Sequence, residues 1–146
     1  MKKLLVILLI SGVFISCKKD STTPTTPTPN PTAARSFTCT INGAAFTADS
    51  AWYNTGAGGI NIFAVKGSGG SRQFFEINLT GTTATTYAFP PHAFTYATTT
   101  NYNATAGSLN ISTYDATNRK ISGSFTGITA GAFTIPNGFF NNLPYK

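Results

Sequence analysis

The sequence predicts an all-β domain, an antiparallel β-sandwich or meander barrel of about nine short strands. Three observations carry this expectation. From Arg35 onward apolar and polar residues alternate with a period of two, and no stretch sustains the 3.6-residue period of an amphipathic helix. Gly-, Asn- and Pro-containing turn signals recur at short intervals between the alternating runs. Charged residues make up only 10% of the chain, against roughly 25% in ordinary soluble domains. The polar surface is therefore built from Thr, Ser, Asn and Gly, which disfavour helices and suit strands and turns.

The elements follow in order. Phe37, Cys39 and Ile41 fall on one face of the first strand, with Thr38 and Thr40 on the other. Asn42-Gly43 is a strong hairpin signal, because both turn positions need positive φ. A two-residue turn there sets Ile41 opposite Ala44 and Cys39 opposite Phe46, so the apolar residues of both strands share a face. A second hairpin runs through 60–66, a Gly/Ser loop at 67–71, and 72–80, where Phe75, Ile77 and Leu79 alternate with Glu76, Asn78 and Thr80. Short strands at 87–89 and 94–97 are split by Pro90-Pro91. A third hairpin joins 109–114 to 120–126 through a turn at 115–118, with Leu109 and Ile111 matching Ile121 and Phe125. The chain closes with 132–135, a turn at Pro136-Asn137-Gly138, and 139–145. Successive hairpins favour a meander. Pattern alone leaves sandwich and barrel open, with a slight preference for the sandwich.

Ahead of this domain lies a leader. Residues 1–17 read MKKLLVILLISGVFISC. Lys2 and Lys3 form a positive start, and the apolar run at 4–15 has the length of a signal-peptide core, too short for a membrane span of about 20 residues. Ser16 directly before Cys17 resembles a lipobox, although Phe14 and Ile15 stand where Leu and a small residue are usual. The resemblance implies cleavage after residue 16 and acylation of Cys17. Several acyl chains hold far more firmly than one, at about 0.8 kcal/mol per buried CH₂. Lys18 follows the cysteine where an inner-membrane retention signal would place Asp, so outer-membrane delivery is implied, and Lys18-Lys19-Asp20 is a weak version of a surface-export signal. Residues 17–34 then form a tether, in which Pro24, Pro27, Pro29 and Pro31 block helix and sheet pairing. The domain proper is 35–146. Asp20-Ser21-Thr22 and Asp49-Ser50-Ala51 both resemble the short pattern at which Bacteroidetes attach O-glycans, marking Ser21 and Ser50.

The "SC" leader, the low-complexity tether, "FTCTINGAAFTA", "YDATNRKISGSFTG" and "NGFFNNLPY" are together similar to an uncharacterised family of small Bacteroidetes lipoproteins. The resemblance implies an all-β domain and an envelope location. It brings no activity and no catalytic residues.

The inventory of reactive groups is thin. The net charge is +6, but Lys2, Lys3, Lys18 and Lys19 lie outside the domain, whose basic residues are scattered. A nucleic-acid footprint needs a clustered basic face, so nucleic acid is excluded as a partner. His92 is the only histidine, in a loop beside two prolines, and a general base needs an orienting partner and a nucleophile. Glu76 faces outward, while Asp49 and Asp115 begin turns, where carboxylates cap the backbone. Three dispersed acids do not make a glycosidase pair. Cys39 alternates with Phe37 and Ile41 and reads as a buried small hydrophobe. No metal or cofactor is implied, and no enzymatic activity.

Aromatic residues are 13% of the chain. Many Phe side chains suit the core. Trp52, Tyr53, Tyr96, Tyr102 and Tyr114 fall in loops or on the polar phase of strands, where such rings stack on sugars or anchor a protein partner. The expectation is a membrane-anchored, non-enzymatic surface binding or adhesion module for glycan or protein, with Trp52-Tyr53 as its best contact site. The alternative is a lipocalin-like carrier of a small apolar ligand, or a structural envelope protein.

Overall fold

The computed structural model describes residues 34–146. The leader, the acylation of Cys17, the tether up to residue 33 and the Ser21 motif lie outside those residues. Within them the chain is all-β. Its strands are β1 (Ser36–Ile41), β2 (Ala44–Thr47), β3 (Ser50–Gly56), β4 (Gly59–Lys66), β5 (Gln73–Thr80), β6 (Thr86–Ala88), β7 (Ala93–Ala97), β8 (Asn101–Asp115), β9 (Lys120–Ala130) and β10 (Phe133–Pro144). They form one sheet in the order β2-β1-β10-β9-β8-β7-β5-β4-β3, with β6 beside β8. From β3 to β10 the path follows the chain, as a meander should.

The sheet curls into a half-barrel because its two end strands are consecutive in sequence. The Ala48 N–H donates to Phe37 O in β1 at 3.0 Å, and the next N–H, of Asp49, donates to Val65 O in β4 at 2.8 Å. A single peptide thus crosses from one end of the sheet to the other. The far side is drawn in by a bridge between Tyr53 and Tyr145 and by the Lys146 N–H, which donates to Tyr53 O at 2.9 Å.

The first hairpin has the register its turn demands, with Ile41 opposite Ala44 and Cys39 opposite Phe46. Asn42 and Gly43 have φ of 48° and 83°. Asn42 also accepts from the Thr134 N–H at 2.8 Å, which ties the turn to β10.

Two expectations need correction. Trp52 and Tyr53 belong to a regular strand, β3, absent from the sequence reading. Its turn to β4 is Ala57-Gly58, both at positive φ (49° and 79°), and an alanine there hides the usual signal. Pro136-Asn137-Gly138 is not a turn. It lies within β10, where Gly138 pairs with Phe125 on one side and Cys39 on the other. The reversal lies earlier, with Ala130 opposite Phe133.

Inside the roll, alternate residues of every long strand converge on a ring cluster. Phe37 packs 5.3 Å from Phe75, 5.4 Å from Phe125 and 6.4 Å from Phe140. Phe94 lies 5.6 Å from Phe75 and 5.4 Å from Phe125. Such contacts add to the area each ring removes from water, itself about 25 cal/mol per Å².

Candidate functional site

The pleat of β3, β4 and β5 separates two faces. Ala51 and Tyr53, Ile62 and Ala64, and Phe75 and Ile77 are buried inside. The alternate positions form the outer face, and the register sets them in rows. Trp52 pairs with Phe63, Phe63 with Glu76, and Glu76 with Thr95 of β7. The next row is Asn54, Asn61 and Asn78. All of these are half-buried.

Two stripes result. Trp52 and Phe63 stack with centroids 5.5 Å apart and planes 20° from parallel. Phe74, diagonal to Phe63, continues the stack at 6.1 Å and 29°. Cations cap both ends: the Lys146 ammonium lies 4.5 Å from the Trp52 ring centre and the Arg72 guanidinium 5.2 Å from that of Phe74. Beside this stripe runs a row of amides. Asn61 Nδ2 donates to Asn54 Oδ1 at 2.9 Å, and Asn78 Nδ2 donates to Glu76 Oε1 at 3.4 Å. A sugar presents apolar C–H patches and a periphery of hydroxyls. A ring stripe flanked by amides meets both demands on a pre-formed, rigid surface.

Of the five aromatic residues singled out from sequence, only Trp52 lies on this face. Tyr53 and Tyr96 are corrected to interior positions, at 1% and 3% exposure, because each alternates in phase with core residues of its own strand. Burial pushes both hydroxyls above the usual tyrosine range. Tyr114 is half-buried at one end of the roll, its ring 6.1 Å from that of Tyr53. Tyr145 joins it there under the Arg119 guanidinium, 4.0 Å from the ring centre. Tyr102 is half-buried and packs 4.7 Å from Phe133. The five therefore do not form one site.

Other singled-out residues have local partners. His92 Nδ1 accepts from the Thr80 N–H at 3.1 Å, and its ring packs edge-on to Tyr87 at 4.9 Å. Asp115 accepts from the Asn118 N–H at 2.8 Å and its Nδ2 at 2.7 Å, which hold its carboxyl below the usual carboxylate range. Asp49 accepts from the Gly67 N–H at 2.7 Å. Ser50 opens β3 opposite Val65, half-buried beside the buried Ala51. Cys39 is 6% exposed, and burial pushes its thiol up to about 12. Among the described residues no three His, Cys, Asp or Glu side chains cluster.

Sequence reasoning missed Phe63, Phe74 and the asparagine row. The signal was present: Phe63 shares its phase with Asn61, and Phe74 shares its phase with Glu76 and Asn78. Compared with protein-family models, with curated proteins and with solved structures, the chain finds no match.

Proposed function

We propose that this protein is a non-enzymatic binding module of the outer membrane, lipid-anchored at Cys17, that recognises glycan through the outer face of β3, β4 and β5. The observation that carries the reading is the juxtaposition of the Trp52–Phe63–Phe74 stripe with the Asn54–Asn61–Asn78 row. Flat rings supply apolar contact at low entropic cost, and fixed amides supply hydrogen bonds whose partners are already oriented. The ring cluster filling the inside of the roll favours surface recognition over carriage of an apolar ligand. The lipobox-like leader and the proline-rich tether support an anchored presentation.

The test is affinity electrophoresis through gels containing soluble polysaccharides. Retardation by at least one is expected, with roughly tenfold weaker binding for Trp52→Ala and Phe63→Ala, a loss of about 1.4 kcal/mol. Tyr102→Ala, remote from the face, should bind like the parent. Unretarded migration in every gel would overturn the reading. Intact-mass measurement of the mature protein tests the anchor, and a mature N-terminus without acyl chains would remove it.

A further inference from the structure

The inward phase of the roll is apolar along most of its length and changes at one end. In β4 it reads Ile60, Ile62, Ala64 and then Lys66; in β5 it reads Gln73 and then Phe75, Ile77 and Leu79. Lys66 and Gln73 stand opposite each other in the register. Together they line an open cavity of about 230 Å³ at the mouth of the roll, with Phe46, Tyr96, Phe133 and Asn42 among its walls.

Two features make this mouth more than the frayed end of a core. The Lys66 ammonium sits 5.3 Å from the Phe46 ring centre, and no carboxylate among the described residues pairs with it. The nearby Asp49 carboxylate is turned to the Gly67 N–H instead. Among the described residues the Gln73 amide likewise makes no side-chain hydrogen bond. Asn42, by contrast, has partners at both ends of its amide, its oxygen accepting from the Thr134 N–H and Oγ1 and its nitrogen donating to Ala132 O. The cavity thus has a rigid wall, one partly exposed ring at Phe133 over the buried Phe46 and Tyr96, one positive charge and one free amide. Mouths of β-barrels are a recurrent place for small-ligand sites, and convergent polar groups over an apolar lining are their usual composition.

We propose that this mouth binds a small monocarboxylate carried on a ring. Lys66 faces the carboxylate, Gln73 hydrogen-bonds it, and the ring lies against the half-buried Phe133 at the rim, above the buried rings of Phe46 and Tyr96. A single ammonium matches a single negative charge. A phosphate group brings nearly two charges and, beside a lysine, is usually held by guanidinium forks or backbone N–H nests as well; no arginine lines this cavity. The same chemistry is offered by an aromatic acid and by a sugar acid. The site is separate from the outer face and does not depend on the glycan reading.

The experiment titrates the full chain with benzoate and with glucuronate, using benzamide and glucose as neutral counterparts, and follows binding by NMR shifts. Saturable binding of at least one acid is expected, at least tenfold tighter than its counterpart. Lys66→Met retains the apolar stem over Phe46 and should lose that preference, while Lys66→Arg should keep most of it. Trp52→Ala should bind the acid like the parent. The proposal is overturned if neither acid saturates, if the neutral molecule binds as well, or if Lys66→Met binds like the parent. Loss of acid binding in Trp52→Ala would also overturn it, by merging the two sites.

Discussion

Replacing Gly138 by alanine tests the placement of 136–138 inside β10. The glycine is flanked by Phe125 of β9 and Cys39 of β1. A Cβ built there would overlap the edge of the Phe125 ring and stand 2.7 Å from Cys39 Cβ. Neither neighbour has room to retreat, since Phe125 is 2% and Cys39 6% exposed. The backbone of Gly138 is not in the left-handed region, so the cost is steric. Overpacking a core costs about 1–3 kcal/mol, and two immobile neighbours place Gly138→Ala near the upper end, about 3 kcal/mol. For a domain of this size that lowers Tm by roughly 10–20 °C. Urea unfolding followed by the fluorescence of Trp52, the only tryptophan, should show a lower midpoint with an unchanged slope. The decisive measurement is a double-mutant cycle with Phe125→Leu. Trimming the ring alone costs about 1–2 kcal/mol, but it makes room for the new methyl. The double variant should therefore be more stable than the two costs together imply, by about 1–2 kcal/mol. Additive costs would refute the reasoning, because a glycine needed only for a turn has no reason to couple to a phenylalanine on the neighbouring strand.

Three further outcomes are expected. Asn42→Ala loses the acceptor for Thr134 N–H and Oγ1 (2.8 and 3.1 Å) and puts a less tolerant residue at φ 48°; it should cost about 1–2 kcal/mol in urea unfolding, with Asn42→Gly recovering only the backbone share. The Cys39 thiol, raised from 9.0 to about 12 by burial, should react with a disulfide reagent at pH 8 about a thousandfold more slowly in the folded protein than in urea, from the lost thiolate fraction alone. Alkaline pH should destabilise the fold: above pH 9 the unfolded chain releases the Cys39 proton while the folded one keeps it, so stability present below pH 9 is lost as pH rises toward 12, and the raised Tyr53 and Tyr96 hydroxyls act in the same direction above 10. Denaturation midpoints that stay level between pH 8 and 11 would contradict it.

The fold class, the meander and the first hairpin's register were legible because each depends on local pattern and turn chemistry. Cys39 opposite Phe46 follows from Asn42-Gly43 and a period of two. The closure of the roll was not legible. It depends on a change of partner between Ala48 and Asp49, where two successive N–H groups serve strands at opposite ends of the sheet, and no residue type marks such a change. Pro136-Asn137-Gly138 misled because glycine has two uses. It admits positive φ in turns, and it lets side chains approach the backbone closely, which is its use in β10.

The candidate site raises the same question of phase. Tyr53 and Tyr96 carry hydroxyls and so suggest the surface, whereas Phe63 and Phe74 carry none and so suggest the core; strand phase reverses both assignments. In a pleated sheet the side of a residue is fixed by parity, and residue chemistry then says whether that side suits it. Where parity and chemistry agree, as at Ile62 and Ile77, a residue is explained by folding alone. Where they disagree, folding leaves a remainder. Phe63 and Phe74 are apolar on an outward phase, and Lys66 and Gln73 are polar on an inward one. Cross-strand stacking stabilises the outer rings by at most about 1 kcal/mol per pair, and the Lys66 ammonium, with no carboxylate partner among the described residues, gains from the Phe46 ring no more than about 1 kcal/mol. Positions that break the local rule with little structural return are where function is expected to reside, and both the proposed glycan face and the proposed carboxylate mouth are made of them.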